Sequence, residues 1–91
     1  MNREKQIEER WKAKGFSCDL WLDPPGQRWE GYVHDVDELI YMLHGQMELE
    51  VSGEKKILNS RDEAYIPARV IHSVRNIGKT ETRWLYGYKN R

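Results

Sequence analysis

The sequence contains a single cysteine, Cys18, among 91 residues. That excludes an internal disulfide framework and fits a reducing compartment. Cys18 itself reads as a small buried apolar residue in a strand rather than as a reactive thiol. Neither sign of charge is in excess, since 15 Lys and Arg balance 15 Asp and Glu. Without a basic block, the chain lacks the electrostatic footprint of a binder of nucleic acid or acidic membrane. No apolar run approaches the ~18 residues that a bilayer-spanning helix needs. The opening Met1-Asn2-Arg3-Glu4-Lys5-Gln6 has no apolar stretch of the secretory kind, so a cytoplasmic location is expected. Internal repeats and low-complexity segments are also missing. Phenylalanine occurs once, yet there are four tryptophans and five tyrosines. Aromatics in that number suit a barrel interior, a pocket wall or a dimer face.

The chain is long enough for one domain, which buries only about 60–65% of the surface its unfolded form exposes. Packing, a bound ion or self-association must make up the rest, and a homodimer is expected. Residues 2–14 read as a short helix, with Ile7 and Trp11 one turn apart on the face that leans on the body. Gly15 is its natural stop. From Phe16 the pattern changes to short runs with turn residues between them. Strands are expected at 16–22, 28–34, 38–43, 46–51, 55–58, 63–66, 71–76 and 80–88. Gln46-Met47-Glu48-Leu49-Glu50-Val51 alternates wet and dry positions, as a half-buried strand does. Short strands at near-regular spacing, with no helices between them, predict an all-β sandwich or barrel rather than a parallel α/β sheet. The expected organisation is therefore a helical segment, 1–15, packed on a single β-barrel domain, 16–91.

Of the three histidines, His34 and His72 fall in strands where they can converge with Glu38. Tyr32 and His34 share a face, as does Glu30 if that strand is regular; His72, Val74 and Asn76 share another. Glu38 lies on the otherwise apolar face of Ile40 and Met42, so its carboxylate sits at a pocket mouth or has a partner. Two imidazoles and a carboxylate form the set that holds Fe(II) with open positions, and they can also hold Zn, Mn, Ni or Cu. His44, beside Gly45, reads as an exposed turn residue, and Asn76 as a structural hydrogen-bonder. Arg69 and Arg75 read as solvated, with an anion clamp as the alternative. Met42 and Met47 read as core. Trp84, Tyr86 and Tyr88 form a stripe that is either core or a dimer surface. Trp21 and Trp29 flank the Pro24-Pro25 loop, where they either pack or shape a pocket mouth.

Two spacings carry a resemblance. Gly26 precedes Tyr32-Val33-His34 by five residues, Glu38 follows after three more, and Gly45 after a further six. Arg61 precedes Pro67-Ala68-Arg69 by five residues, His72 follows after two, and Asn76 after three more. This resembles the cupin family's first motif, Gly, five residues, His-x-His, three or four residues, Glu, six residues, Gly. It also resembles the second, Gly, five residues, Pro-x-Gly, two residues, His, three residues, Asn. The sequence departs from the pattern at Tyr32, where the first histidine belongs, and at Arg61 and Arg69, where glycines belong.

The resemblance implies an antiparallel cupin barrel, a double-stranded β-helix or jelly roll. It implies that His34, Glu38 and His72 occupy three of the four usual metal-ligand positions. Tyr32 then lines the pocket as a hydrogen-bond or proton donor, the candidate catalytic residue. The function so implied is divalent-metal binding and action, dioxygenase- or isomerase-like, on a small organic substrate. The alternative is a metal-free barrel that binds a small ligand as a sensor or accessory subunit.

Overall fold

The computed structural model describes residues 2–90. Met1 and Arg91, the outer limits of the two expected segments, lie outside the described residues. A helix, α1 (Arg3–Ala13), precedes eight strands: β1 (Asp19–Asp23), β2 (Arg28–Tyr32), β3 (Glu38–His44), β4 (Met47–Val51), β5 (Glu54–Leu58), β6 (Glu63–Ile66), β7 (His72–Asn76) and β8 (Thr82–Tyr88). The strands form two antiparallel four-stranded sheets, ordered β1-β8-β3-β6 and β2-β7-β4-β5. These two sheets are the all-β sandwich that the strand spacing predicts, in the jelly-roll form that the resemblance implies. No helix among the described residues is long and apolar enough to cross a membrane.

Strand β3 is buried on both faces, which is why its first five residues are all inaccessible. Ile40 and Met42 point between the sheets, where they meet Met47, Leu49, Leu58, Ile66, Val74 and Trp84. Leu39 and Tyr41 point the other way and, with Leu85, receive Ile7 and Trp11 of α1. So short a helix is marginal alone; here Trp11 is fully buried against the sheet. The Asn2 side chain caps the helix start by accepting from the Glu4 amide at 2.8 Å, and Arg10 pairs with Glu63 of β6.

The helix and the following loop can lie this close because β8 carries Gly87. A Cβ there would overlap the Ser17 carbonyl oxygen and stand 2.9 Å from the Trp11 ring. The first expected strand is accordingly shorter than its apolar pattern suggested. Phe16 makes only an isolated bridge to Lys89, and residues 16–18 pass under the helix before β1 begins at Asp19. Cys18 is thus half-buried beside the helix cluster rather than within a strand. Burial, with Glu8, Asp19 and Glu4 nearby, pushes its thiol up to about 11.

Two departures from the expected pattern concern backbone and charge. Arg61 and Arg69, the residues that replace motif glycines, both keep the left-handed backbone, with φ of 78° and 64°. Each is held by an amide bond: Arg61 donates to the Met42 carbonyl and Arg69 to the His34 carbonyl, both at 2.7 Å. The fold therefore retains the turn and accepts a conformation that a side chain disfavours. Arg75 is not a solvated arginine. It is buried on the outer face of the second sheet, where it bonds Glu30, Glu48 and Glu50 at 2.7–2.9 Å.

Two stability outcomes follow from these close approaches. Gly87→Ala should cost about 1–3 kcal/mol, because the Ser17 backbone must move. Arg69→Gly should be neutral or stabilising by about 0.5–1 kcal/mol, against the usual loss for an exposed residue changed to glycine. Urea unfolding measures both; a neutral Gly87→Ala or a strongly destabilised Arg69→Gly contradicts the packing described. A thiol titrating near 11 is almost wholly neutral at neutral pH. Iodoacetamide alkylation of the native protein should therefore rise about tenfold per pH unit well above the ordinary thiol range. A rate that levels off near pH ~8.5 contradicts that environment.

Candidate metal centre and aromatic pocket

His34, Glu38 and His72 come together between the two sheets, their ligand atoms all within 4.8 Å of one another. Each arrives differently. Glu38 is the first residue of β3, opposite Ile66 and Tyr88. His72 opens β7, opposite Tyr32 and Val51. His34 lies beyond the end of β2, in the loop to β3, rather than within the longer strand expected there. Its carbonyl is held by the Arg69 amide, so the loop after β6 fixes the loop after β2. Asp37 strengthens the same junction by accepting from the Ala68 amide at 2.8 Å.

The Glu38 carboxylate is 5% exposed, as is the His72 ring, against 29% for His34. Glu38 Oε1 lies 3.3 Å from Nε2 of His72 and 3.5 Å from Nε2 of His34, yet among the described residues it is buried without a hydrogen-bond partner. An orphaned buried carboxylate oxygen is costly; a cation among these three groups would satisfy it. Nδ1 of His72 lies 3.2 Å from the Val70 carbonyl. In the neutral ring, donation from Nδ1 to that oxygen would leave Nε2 unprotonated toward the site, the arrangement that orients ligating histidines. Burial disfavours the His72 imidazolium, but the Glu38 carboxylate and the Val70 carbonyl outweigh it and leave the ring above its ordinary value. These residues therefore fit a divalent ion by donor type, proximity and the unmet need of Glu38.

Around this floor stands an aromatic wall. Tyr32, in the position of the missing histidine, stacks at 6.3 Å on His34 and is 41% exposed at the mouth. Trp21, Trp29, Trp84, Tyr86 and Tyr88 complete the lining. The stripe on β8 is thus pocket wall as well as core. Trp29 and Tyr32 both line the cavity although three residues apart, because β2 bulges between them, with Gly31 at φ 69°. The same bulge turns Glu30 to the outer face, where it meets Arg75; it does not share the face of Tyr32 as a regular strand would require. Arg69 and His44 are exposed, and neither they nor Arg75 line the pocket. Asn76 bonds the Asp23 and Thr80 carbonyls and the Gly78 amide, a structural role.

Sequence reasoning missed two residues. Tyr88 places its hydroxyl 3.3 Å from Nε2 of His34, and burial together with the Glu38 charge pushes it up to about 12. It is therefore a neutral phenol at the floor of the site. Its alternation with Trp84 and Tyr86 gave its face but not what that face met. Asp23, one residue past the first expected strand, is the buried last residue of β1. Its Oδ1 accepts from the indoles of Trp21 and Trp29 at 2.9 and 3.1 Å, and its Oδ2 from that of Trp84 at 3.1 Å. One carboxylate thus fixes three of the pocket's rings, and no local pattern around Asp23 signals it.

Among known proteins, the chain is similar to the polyketide synthase CurC of Streptomyces cyaneus, 30% identical over 75 residues, 81% of this chain and 48% of that protein. It thus spans about half the length of this curated relative. Among solved structures, TT1209 from Thermus thermophilus superposes with a TM-score of 0.75 at 27% identity, over 84% of this chain and 74% of the other. The Cnp3 cupin domain of Schizosaccharomyces pombe superposes with a TM-score of 0.79 at 19% identity, over 85% and 57%; at that identity the likeness is one of fold. The family model for the cupin domain matches residues 19–88, from the first residue of β1 to the last of β8, and the chain belongs to the cupin family.

Proposed function

We propose that this protein binds one divalent transition-metal ion, of the Fe, Zn, Mn or Ni kind, through His34, Glu38 and His72, and acts on a small organic molecule held in the aromatic pocket above it. The observation that carries this reading is the buried Glu38 oxygen, without a hydrogen-bond donor among the described residues and flanked by two imidazole nitrogens. A divalent ion held by these three residues would supply Lewis acidity and leave room for an exogenous group.

The chain's own residues do the rest. The Val70 carbonyl holds the tautomer and ring plane of His72. Tyr88 offers a neutral hydroxyl beside His34, and Tyr32 offers a second phenol at the mouth. Asp23 keeps three indoles in place, so the walls need not rearrange when a ligand enters. The name of the curated relative, a polyketide synthase, supports an organic rather than a macromolecular ligand. Self-association as a homodimer is part of the same reading, supported by the open edge of β1 and its exposed Leu20 and Leu22.

Protein purified without an affinity tag should contain close to one transition-metal ion per chain, measured by elemental analysis. Glu38→Gln and His72→Ala should each lower that content by about tenfold or more. Glu38→Gln is the cleaner variant, since it keeps the side chain's shape and removes its charge. Trace metal in the parent protein, with no thermal stabilisation on adding Fe, Zn, Mn or Ni, defeats the metal reading. A second reading, a metal-free ligand-binding or sensory barrel, is favoured by tyrosine at position 32. It expects a small molecule to raise the melting temperature in the presence of a chelator.

A further inference from the structure

We propose that the pocket's ligand is a flat, uncharged aromatic molecule of one or two fused rings that carries a hydroxyl group, a phenol or naphthol in class. This rests on the reading that the cavity is the ligand site, and it specifies the ligand that the walls select.

Size comes first. The cavity measures about 260 Å³. A cavity of ~150 Å³ takes benzene, so this one has room for a fused bicyclic system. Wall chemistry comes second. The ring contacts run without a break around the cavity. Trp29 meets Tyr32 at 6.3 Å, and Trp21 meets Trp29 at 6.0 Å and Tyr86 at 6.4 Å; Tyr86 in turn meets Trp84 at 5.7 Å and Tyr88 at 5.8 Å. Their mutual tilts of 53–77° present both ring faces and ring edges to the cavity. A planar aromatic guest can stack on the former and meet the latter edge-on.

Charge decides against the competing classes. Among the described residues no lysine or arginine lines the cavity, so a small carboxylate would find no side-chain cation; Arg75, though buried, is committed to three glutamates on the opposite face. An ammonium ligand would be drawn to the ring faces, but both oxygens of Asp23 are taken by three indoles, and Glu38, only 5% exposed at the floor, is the carboxylate assigned to the metal ion. The polar handle sits at the floor, where the Tyr88 hydroxyl and Nε2 of His34 lie 3.3 Å apart. A ring hydroxyl reaching that point meets the Tyr88 hydroxyl, which can both donate and accept.

Isothermal titration of the protein with 2-naphthol, with its saturated analogue decahydro-2-naphthol, with glycolate and with tetramethylammonium tests this. 2-Naphthol should bind at least about tenfold more tightly than each of the others. Trp29→Ala should weaken 2-naphthol by about tenfold. Trp21→Leu, at a position 41% exposed, should weaken it several-fold. Asp23→Asn should do the same, because its amide nitrogen cannot accept from an indole. Tighter binding of glycolate or tetramethylammonium overturns the proposal. So does an affinity for 2-naphthol that is equal to that of the saturated analogue or unchanged in both tryptophan variants. Metal content of the same samples separates this inference from the metal reading. Metal-replete protein that ignores 2-naphthol refutes the inference alone. Metal-free protein that binds it with the stated preferences leaves the inference standing and removes the metal.

Discussion

A carboxylate buried between two imidazoles is the constraint on which the site depends. Glu38 gains access to the interior because it is the first residue of a strand whose next four positions are also inaccessible. Its neighbours on the inner face, Ile40 and Met42, belong to the apolar core. A charge in that position is tolerable only with compensating charge close by. The protein brings two histidines within 3.5 Å but aligns neither as a hydrogen bond to Oε1. The remaining demand is what makes a cation the natural occupant.

The scaffold holds that geometry from several directions at once. Strand β3 is clamped between the inter-sheet core and the helix cluster, so Glu38 begins a rigid element. The loops that carry His34 and lead to His72 are joined through the bond from the Arg69 amide to the His34 carbonyl and by Asp37 on the Ala68 amide. The second sheet is stiffened on its outer face by Arg75, which bridges β2, β7 and β4 through three carboxylates. Above the floor, Asp23 fixes the indoles of Trp21, Trp29 and Trp84. Buried polar groups in this chain serve mainly to hold aromatic rings and the site's imidazoles in one arrangement, a use for which satisfied polar networks are suited.

Much of this was legible in the sequence because it is periodic or positional. The short runs between turn residues gave eight strands, and the two motif spacings gave His34, Glu38 and His72 as neighbours. The substitutions of Arg61 and Arg69 for glycine left the fold legible, since the backbone keeps a positive φ at both. What escaped the pattern depended on three-dimensional irregularity. A strand read as regular put Glu30 beside Tyr32; the bulge at Gly31 moves it to the far side. The apolar segment at residues 16–18 looked like strand because its partner surface, the underside of a helix, has the same hydrophobic signature. Arg75 looked solvated because its three glutamates come from two other strands. Asp23 and Tyr88 acquire their roles from residues up to 61 and 54 positions away, a distance at which a single sequence carries no signal.

The central claim is that the space between His34, Glu38 and His72 is a metal site. Anomalous diffraction from crystals of the protein grown with Zn or Mn tests it most directly. The account predicts a strong peak at the metal's absorption edge, within bonding distance of Nε2 of both histidines and of Glu38 Oε1. A map with no peak there, or with ions only on surface carboxylates while the three side chains keep their present separations, would contradict it.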